Sequence, residues 1–95
     1  MIVFSDFQPL LNDKFEVDIT GKRYPITLTR IEILGAPYKK GARQPFSLTF
    51  CADAALGILR QSVYPMTHDS FGKCSIFLIP RGIIEDKCYY EAIYN

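Results

Sequence analysis

Alternating apolar and polar positions run through most of the chain and predict short β-strands. The clearest case is residues 14–19, where every second side chain is apolar and the others are charged. A two-residue period places the apolar side chains on one face of a strand. Thr20-Gly21-Lys22-Arg23 provides a glycine for a tight reversal, and the alternation resumes over residues 24–28. The simplest interpretation is a β-hairpin.

The alternation changes phase after this hairpin. Ile31 and Ile33 fall on odd positions, whereas the apolar residues before them fall on even ones, so a bulge or bend near Thr29-Arg30 is expected. Residues 35–43 have no period and predict an exposed loop. Further strands are predicted over residues 46–51, 62–67, 73–79 and 88–94.

Prolines and parity suggest where these strands lie. Pro65 lacks an amide donor, which favours an edge position for its strand. Residues 73–79 carry apolar side chains at both even and odd positions, so both faces of the strand are apolar, which favours a central position. Pro80-Arg81-Gly82 is expected to end that strand, and a loop is expected over residues 83–87.

Helical signals are few and short. Ser5 is a suitable N-cap for a short helix whose face carries Phe7, Leu10 and Leu11. Asp53 can cap a second short connection over residues 54–60, although Gly57 disfavours a helix there. The chain is therefore predicted to be mainly β, α+β at most. We expect a small six-stranded barrel or twisted antiparallel sheets with a short N-terminal helix.

Composition indicates a single domain over residues 1–95. The hydrophobic fraction is 48% and the charged fraction 22%, as in ordinary folded proteins. The 11 basic and 10 acidic residues give a formal charge of +1, and nucleic-acid binding through a broad basic face is not expected. No apolar stretch is long enough to span a bilayer. The first six residues lack the features of a secretory signal, so cytoplasmic synthesis is expected.

A basic, aromatic loop is the strongest candidate binding feature. Tyr38, Lys39, Lys40 and Arg43 lie in the exposed loop, where they suit the acidic rim of a partner protein or a phosphate backbone, with plain solvation as the alternative. Tyr89 is a second candidate partner-binding residue, because tyrosine is common at interfaces and the C-terminal strand is rich in it.

Catalytic and metal-binding constellations are weak. Ser62, His68 and Asp69 could form a nucleophile, base and acid, but adjacent His68-Asp69 is poorly placed to orient the ring. The single histidine and the cysteines Cys51, Cys74 and Cys88 lack the spacing of a metal site, so reduced thiols are expected. Glu85-Asp86 is best explained as a solvated loop. We therefore expect no catalytic residues, metal or cofactor.

Four segments carry a resemblance to a known family. They are Phe4-x-Asp6-Phe7-x-Pro9-Leu10 with Phe15, Arg43-x-Pro45-Phe46-Ser47-Leu48-x-Phe50, Phe77-Leu78-Ile79-Pro80-x-Gly82 and Tyr90-Glu91-Ala92-x-x-Asn95. The chain resembles a small bacterial and phage family of unknown function over nearly its whole length. The resemblance implies genes often encoded near phage-tail-collar-like, microcystin-dependent-type proteins, and it transfers no catalytic residues. Cys51 and residues 53–60 depart from the family pattern. A structural ion pair between Arg43 and Glu91 would explain two of the motifs.

The expected function is a non-enzymatic structural or protein-interaction component of a phage tail or phage-tail-like assembly. Exposed strand edges would add further docking surface. The expected partners are other proteins, as a homo-oligomer or with a tail-like partner. The alternatives are a soluble adaptor or chaperone-like binding module and a small-ligand-binding barrel.

Overall fold

A computed structural model describes residues 2–70 and 72–95 and shows six strands. They are β1 Lys14–Ile19, β2 Lys22–Ile33, β3 Phe46–Asp53, β4 Ser62–His68, β5 Gly72–Ile84 and β6 Lys87–Tyr94. The strands are antiparallel and form a closed barrel in the order β1-β2-β3-β6-β5-β4. The predicted mainly β, six-stranded barrel is confirmed.

The connections lie at the two ends of the barrel, which we name here. The loop end carries the N-terminal segment 2–13, the loop 34–45 and the β4–β5 connection. The hairpin end carries the β1–β2 turn, the segment 54–61 and the β5–β6 turn. Around the barrel, β3 and β4 separate the β1–β2 hairpin from the β5–β6 hairpin, so the two hairpins face each other across the mouth.

The β1–β2 hairpin and the predicted bulge are both confirmed. Thr20 and Gly21 form the turn with φ of 49° and 85°, the positive values that a two-residue hairpin turn requires. The register between β2 and β3 shifts between Leu28 and Arg30. This extra residue accounts for the change of apolar parity that the sequence shows after Leu28.

The strand of Pro65 is not an edge strand, contrary to the sequence prediction. β4 pairs with β5 along its length and also with β1, where Glu16 lies opposite Thr67 and Val17 opposite Met66. The next position on β4 is Pro65, which has no amide to donate, and the β1–β4 pairing ends there. Because closure pairs the strands on both sides, the strand edges expected to dock are mostly covered.

β5 is longer than the sequence predicts. Pro80-Arg81-Gly82 does not end it, because a register shift between Pro80 and Gly82 lets the pairing with β6 continue to Ile84 opposite Lys87. The pairing with β4 begins only at Ser62 opposite Leu78. Residues 79–84 therefore extend past β4, with β6 as their neighbour.

The N-terminal segment forms two short 3₁₀ turns, Phe4–Asp6 and Gln8–Leu10, in place of one regular helix. Ser5 is exposed and does not cap the segment as predicted; the Asp6 carboxylate accepts the Val3 amide at 2.8 Å. Phe7 and Leu10 are buried, whereas Leu11 is exposed. The segment closes the loop end through the two buried side chains.

The barrel interior is filled by inward-facing side chains of all six strands. Phe15 and Phe50 meet edge to face, with ring centroids 5.4 Å apart, a favourable aromatic geometry. The buried hydrophobic set is Phe7, Leu10, Phe15, Val17, Ile26, Leu28, Phe46, Leu48, Phe50, Ala52, Leu59, Met66, Ile76, Leu78, Cys88, Tyr90 and Ala92.

Candidate protein interface

The loop 34–45 is closed at its base and open at its tip. The Leu34 amide donates to the Pro45 carbonyl at 2.9 Å, where the loop leaves β2 and enters β3. At the tip, Tyr38 is 78% exposed, and the Lys39 ammonium lies 5.7 Å from its ring centroid. Lys40 is also exposed. The loop thus presents an aromatic ring and two cations to solvent.

Arg43 anchors this loop to both terminal segments. Its Nε donates to the Asn95 carbonyl at 2.7 Å and its Nη1 to the Ile2 carbonyl at 2.9 Å. Its guanidinium carbon lies 5.3 Å from the centroid of the Tyr94 ring, within cation–π range. Arg43 is half-buried, so it serves to fix the loop more than to extend its exposed surface.

The predicted ion pair between Arg43 and Glu91 is wrong. Glu91 accepts from Arg81, with Oε1 at 2.8 Å from Nε and 2.6 Å from Nη2. Glu91 lies on the outward face of β6, opposite Thr49 and Ile79. Arg43 instead contacts Tyr94, which lies on the inward face of the same strand. The bulge next to Pro80 directs Arg81 towards Glu91.

Tyr89 lies apart from the loop. It is half-buried on the outward parity of β6, opposite Cys51 of β3 and Gly82 of β5. Tyr94, at the loop end, is five positions further along β6, about 16 Å along a strand. The five candidate partner-binding residues therefore form one cluster of four and one distant residue.

His68 has structural contacts at the loop end. Its Nδ1 accepts the Ser70 amide at 3.0 Å, so its Nε2 carries the proton and donates to Asp13 Oδ2, also at 3.0 Å. Its ring centroid lies 4.5 Å from that of Phe15. Ser62 is at the opposite end of β4, so Ser62, His68 and Asp69 do not come together as a triad.

The three cysteines are free thiols in different environments. Cys88 is buried, whereas Cys51 and Cys74 are half-buried. Burial raises the pKa of the Cys74 thiol, which favours its protonated form. Across residues 2–70 and 72–95, no group of three histidine, cysteine or acidic residues is placed to hold a metal ion.

Tyrosine hydroxyls fasten the segment 54–61 across the hairpin end. The Tyr24 hydroxyl donates to the Gly57 carbonyl and the Tyr64 hydroxyl to the Arg60 carbonyl. The buried Tyr90 hydroxyl accepts the Leu59 amide at 2.9 Å. Burial raises the pKa of both Tyr24 and Tyr90, so these hydroxyls keep their protons well above neutral pH.

Each end of the barrel has a concavity. At the loop end, a cavity of about 520 Å³ is lined mainly by apolar residues of the N-terminal segment, with Lys73 and Cys74 from β5. At the hairpin end, a groove of about 360 Å³ lies between the β1–β2 hairpin and residues 56–59. Both volumes fall within the range of binding pockets.

Several features of the surface differ from what the sequence pattern predicts. The pattern predicts a strand-ending turn at Arg81 and a loop at Ile83 and Ile84, whereas both isoleucines lie exposed on β5. Two adjacent apolar residues in a strand point to opposite faces, so Ile83-Ile84 next to a turn was a signal that one side chain would lie outside the core.

The fold is a small, closed, antiparallel β-barrel with an exposed loop at one end and a groove at the other. The chain belongs to the family described as a domain of unknown function, DUF6916, whose model matches residues 2–94. The predicted membership of an uncharacterised family is confirmed. No curated protein and no solved structure shows significant similarity to the chain. Within the described residues, no helix is long and apolar enough to cross a membrane.

Proposed function

We propose that this protein is a non-enzymatic structural component that works by binding other proteins, within a phage tail or tail-like particle. The observation that carries the proposal is the loop 34–45, which displays Tyr38, Lys39 and Lys40 on a base fixed by Arg43. The particle setting rests on the family resemblance. In this proposal the protein is synthesised in the cytoplasm and then enters the assembly.

The loop has the physical properties of a docking element. A tyrosine ring offers a large contact area together with a hydroxyl donor, which is why tyrosine is enriched at protein interfaces. The Arg43 hydrogen bonds to Ile2 and Asn95 hold the base before any partner arrives. A base that is already ordered reduces the conformational entropy lost on binding.

The charge of the loop favours an acidic protein surface as the partner. Lys39 and Lys40 attract carboxylates and speed their encounter with the loop. A nucleic acid is a poorer fit, because the chain as a whole carries a formal charge of only +1 and phosphate-backbone binding depends on many cations.

The proposal is tested with the product of the neighbouring gene as the binding partner, which the family resemblance implies is a phage-tail-collar-like protein. Light scattering after size-exclusion chromatography measures whether a stable complex forms, and calorimetry measures its affinity. The triple variant Tyr38→Ala, Lys39→Ala, Lys40→Ala should weaken binding at least about tenfold, since a few anchor residues, tyrosine often among them, carry most of the binding energy of an interface and the lysines add electrostatic attraction.

The matched control removes two cations from the other end, Arg60→Ala with Lys87→Ala, and should bind like the wild type. The variant Tyr89→Ala shows whether this distant tyrosine contributes. Equal binding by the wild type and the loop variant would overturn the role of the loop. Mass spectrometry of purified particles distinguishes a resident subunit from the alternative, a soluble adaptor that never enters a particle.

A further inference from the structure

The tip of the β5–β6 hairpin is apolar and acidic. Ile83 is 50% exposed and Ile84 66% exposed, although adjacent residues of a strand point to opposite faces. Both can be exposed because residues 79–84 extend past β4. The turn that follows consists of Glu85 and Asp86, both exposed. The hairpin therefore projects two isoleucines and two carboxylates from the hairpin end.

The backbone at this tip is costly for the residue that occupies it. Glu85 has φ of 57°, the left-handed region in which a residue with a side chain is disfavoured. It stands at the first central position of a two-residue hairpin turn, where glycine is the favoured residue. A strained non-glycine residue at an exposed position points to a role for its side chain.

The groove at the same end has the complementary properties. Its apolar lining includes Ile19, Tyr24, Leu56 and Ile58, and its rim carries Lys22 and Arg23. Leu56 and Ile58 are exposed large hydrophobic residues. The rim is accessible, since both cations are exposed and the only ion pair of Arg23 among the described residues is the exposed contact with Glu16 at 3.0 Å.

The positions of the tip and the groove permit a reciprocal contact between two copies. They belong to hairpins on opposite sides of one mouth. A two-fold rotation about an axis in the plane of that mouth places each tip over the groove of the other copy. Such a contact is isologous, because each surface is used twice and the assembly closes as a dimer.

We propose that the hairpin end forms a two-fold symmetric dimer in which Ile83 and Ile84 of each copy enter the partner's groove, with Glu85 and Asp86 facing Lys22 and Arg23. This inference rests on the proposed function, a protein-binding subunit, and identifies a second copy of the chain as one partner. The molecule measures 43 × 27 × 23 Å, so an end face is small and the dimer is of the weak, reversible class.

The test is sedimentation equilibrium of the full chain across the micromolar range. The wild type should shift from the 10.8 kDa monomer to twice that mass as its concentration rises. Glu85→Gly should raise the dissociation constant at least about tenfold. Its melting temperature, measured below the concentration at which the wild type dimerises, should stay level or rise, because glycine suits the turn. A purely structural role for Glu85 would instead lower the melting temperature.

Charge reversal gives a stricter test. The double variant Glu85→Lys, Asp86→Lys should be monomeric, and so should Lys22→Glu, Arg23→Glu. A mixture of the two should form a heterodimer, since opposite charges again face each other at both of its contacts. Ile84→Ala should weaken the dimer, while Val63→Ala, at a comparably exposed position on the outer wall (60%), should not.

Three results would overturn the inference: a monomer at all concentrations, a dimer that persists in both charge-reversed variants, or no heterodimer on mixing them. A monomer that still binds the neighbouring gene product through the loop 34–45 would leave the proposed function standing. A Glu85-dependent complex with that product, and no dimer, would assign the tip to a different protein.

Discussion

The two ends of the barrel are closed by different interactions. At the loop end, Phe7 fills the opening with its ring centroid 6.2 Å from that of Phe46 and 6.1 Å from that of Tyr94, and Tyr94 stacks on Phe46 at 4.8 Å. At the hairpin end, Leu59 is buried, but the segment 54–61 is fastened by tyrosine hydroxyls bonded to its backbone. The aromatic packing of Phe7 fills the loop end, whereas tyrosine hydroxyls hold the segment that covers the hairpin end.

Two tyrosines of β6 show this difference between the two ends most clearly. Tyr90 and Tyr94 share the inward parity of the strand. The Tyr90 hydroxyl satisfies the buried Leu59 amide, whereas the Tyr94 hydroxyl is buried without a hydrogen-bond partner among the described residues. The same side chain is therefore a connector at the hairpin end and a packing element at the loop end.

The largest expected effect comes from removing the closure of the loop end. Phe7→Ala deletes a fully buried ring, and we expect a loss of about 3–5 kcal/mol in the free energy of unfolding. Urea denaturation measures it. Leu11→Ala is the matched control, since this exposed side chain in the same segment should change stability by less than about 0.5 kcal/mol. Equal effects would mean that the N-terminal segment is not part of the core.

Removing one hydroxyl from each tyrosine tests the contrast directly. Tyr90→Phe leaves the buried Leu59 amide without its acceptor and should cost about 1–3 kcal/mol of stability. Tyr94→Phe removes an unsatisfied polar atom and should be neutral or stabilising. Chemical denaturation of both variants measures the difference. A larger loss of stability for Tyr94→Phe than for Tyr90→Phe would contradict the description of Tyr90 as the hydrogen-bonding tyrosine and Tyr94 as the packing one.

Alkaline pH should destabilise the barrel through the same tyrosines. Burial raises the pKa of Tyr94 to about 12 and also raises those of Tyr24 and Tyr90. The unfolded chain releases these protons near pH 10, before the folded protein does, so stability is full below pH 10 and falls as the pH rises towards 12.

For Tyr94, two pKa units correspond to at most about 2.7 kcal/mol, and partial solvent access reduces this to about 1–2 kcal/mol. Melting temperatures measured between pH 8 and pH 11.5 should fall at the alkaline end. Tyr94→Phe should flatten the decline. A wild-type melting temperature that stays constant through this range would contradict the prediction.

The smallest expected effect is a gain. Glu85→Gly relieves a left-handed backbone at the hairpin tip and should raise the free energy of unfolding by up to about 1 kcal/mol. Thermal denaturation below the concentration at which the protein dimerises isolates this effect from association. Asp86→Gly is the control, because Asp86 does not have a positive φ. A destabilised Glu85→Gly would show that the Glu85 side chain supports the fold.

Local pattern predicted most of the fold, because each strand has one buried face. The alternation at Phe15 and Val17 and the parity change at Leu28 were sufficient for the first hairpin and its bulge. The pattern could not show that β1 and β4 would meet, because closure depends on contacts between residues far apart in sequence. The pattern therefore predicts an edge position for the strand of Pro65 and an end of β5 at Pro80. In the structure, the pairing of β5 with β6 continues beyond Pro80.

The candidate interface was predictable only in part. The exposed loop around Tyr38 followed from its composition, but the role of Arg43 did not, because its acceptors are main-chain carbonyls of Ile2 and Asn95 that carry no side-chain signal. The interpretation of Glu85-Asp86 as a solvated loop gave the right exposure. The left-handed backbone of Glu85 and the groove across the mouth depend on the three-dimensional arrangement of the hairpins.

The most direct test of the central claim, that this protein works by binding other proteins, is the mass of the purified chain in solution. Light scattering coupled to size-exclusion chromatography would be run with and without the product of the neighbouring gene. We predict a concentration-dependent dimer for the chain alone and a stable complex when the partner is added. A lone monomer under both conditions would contradict the claim.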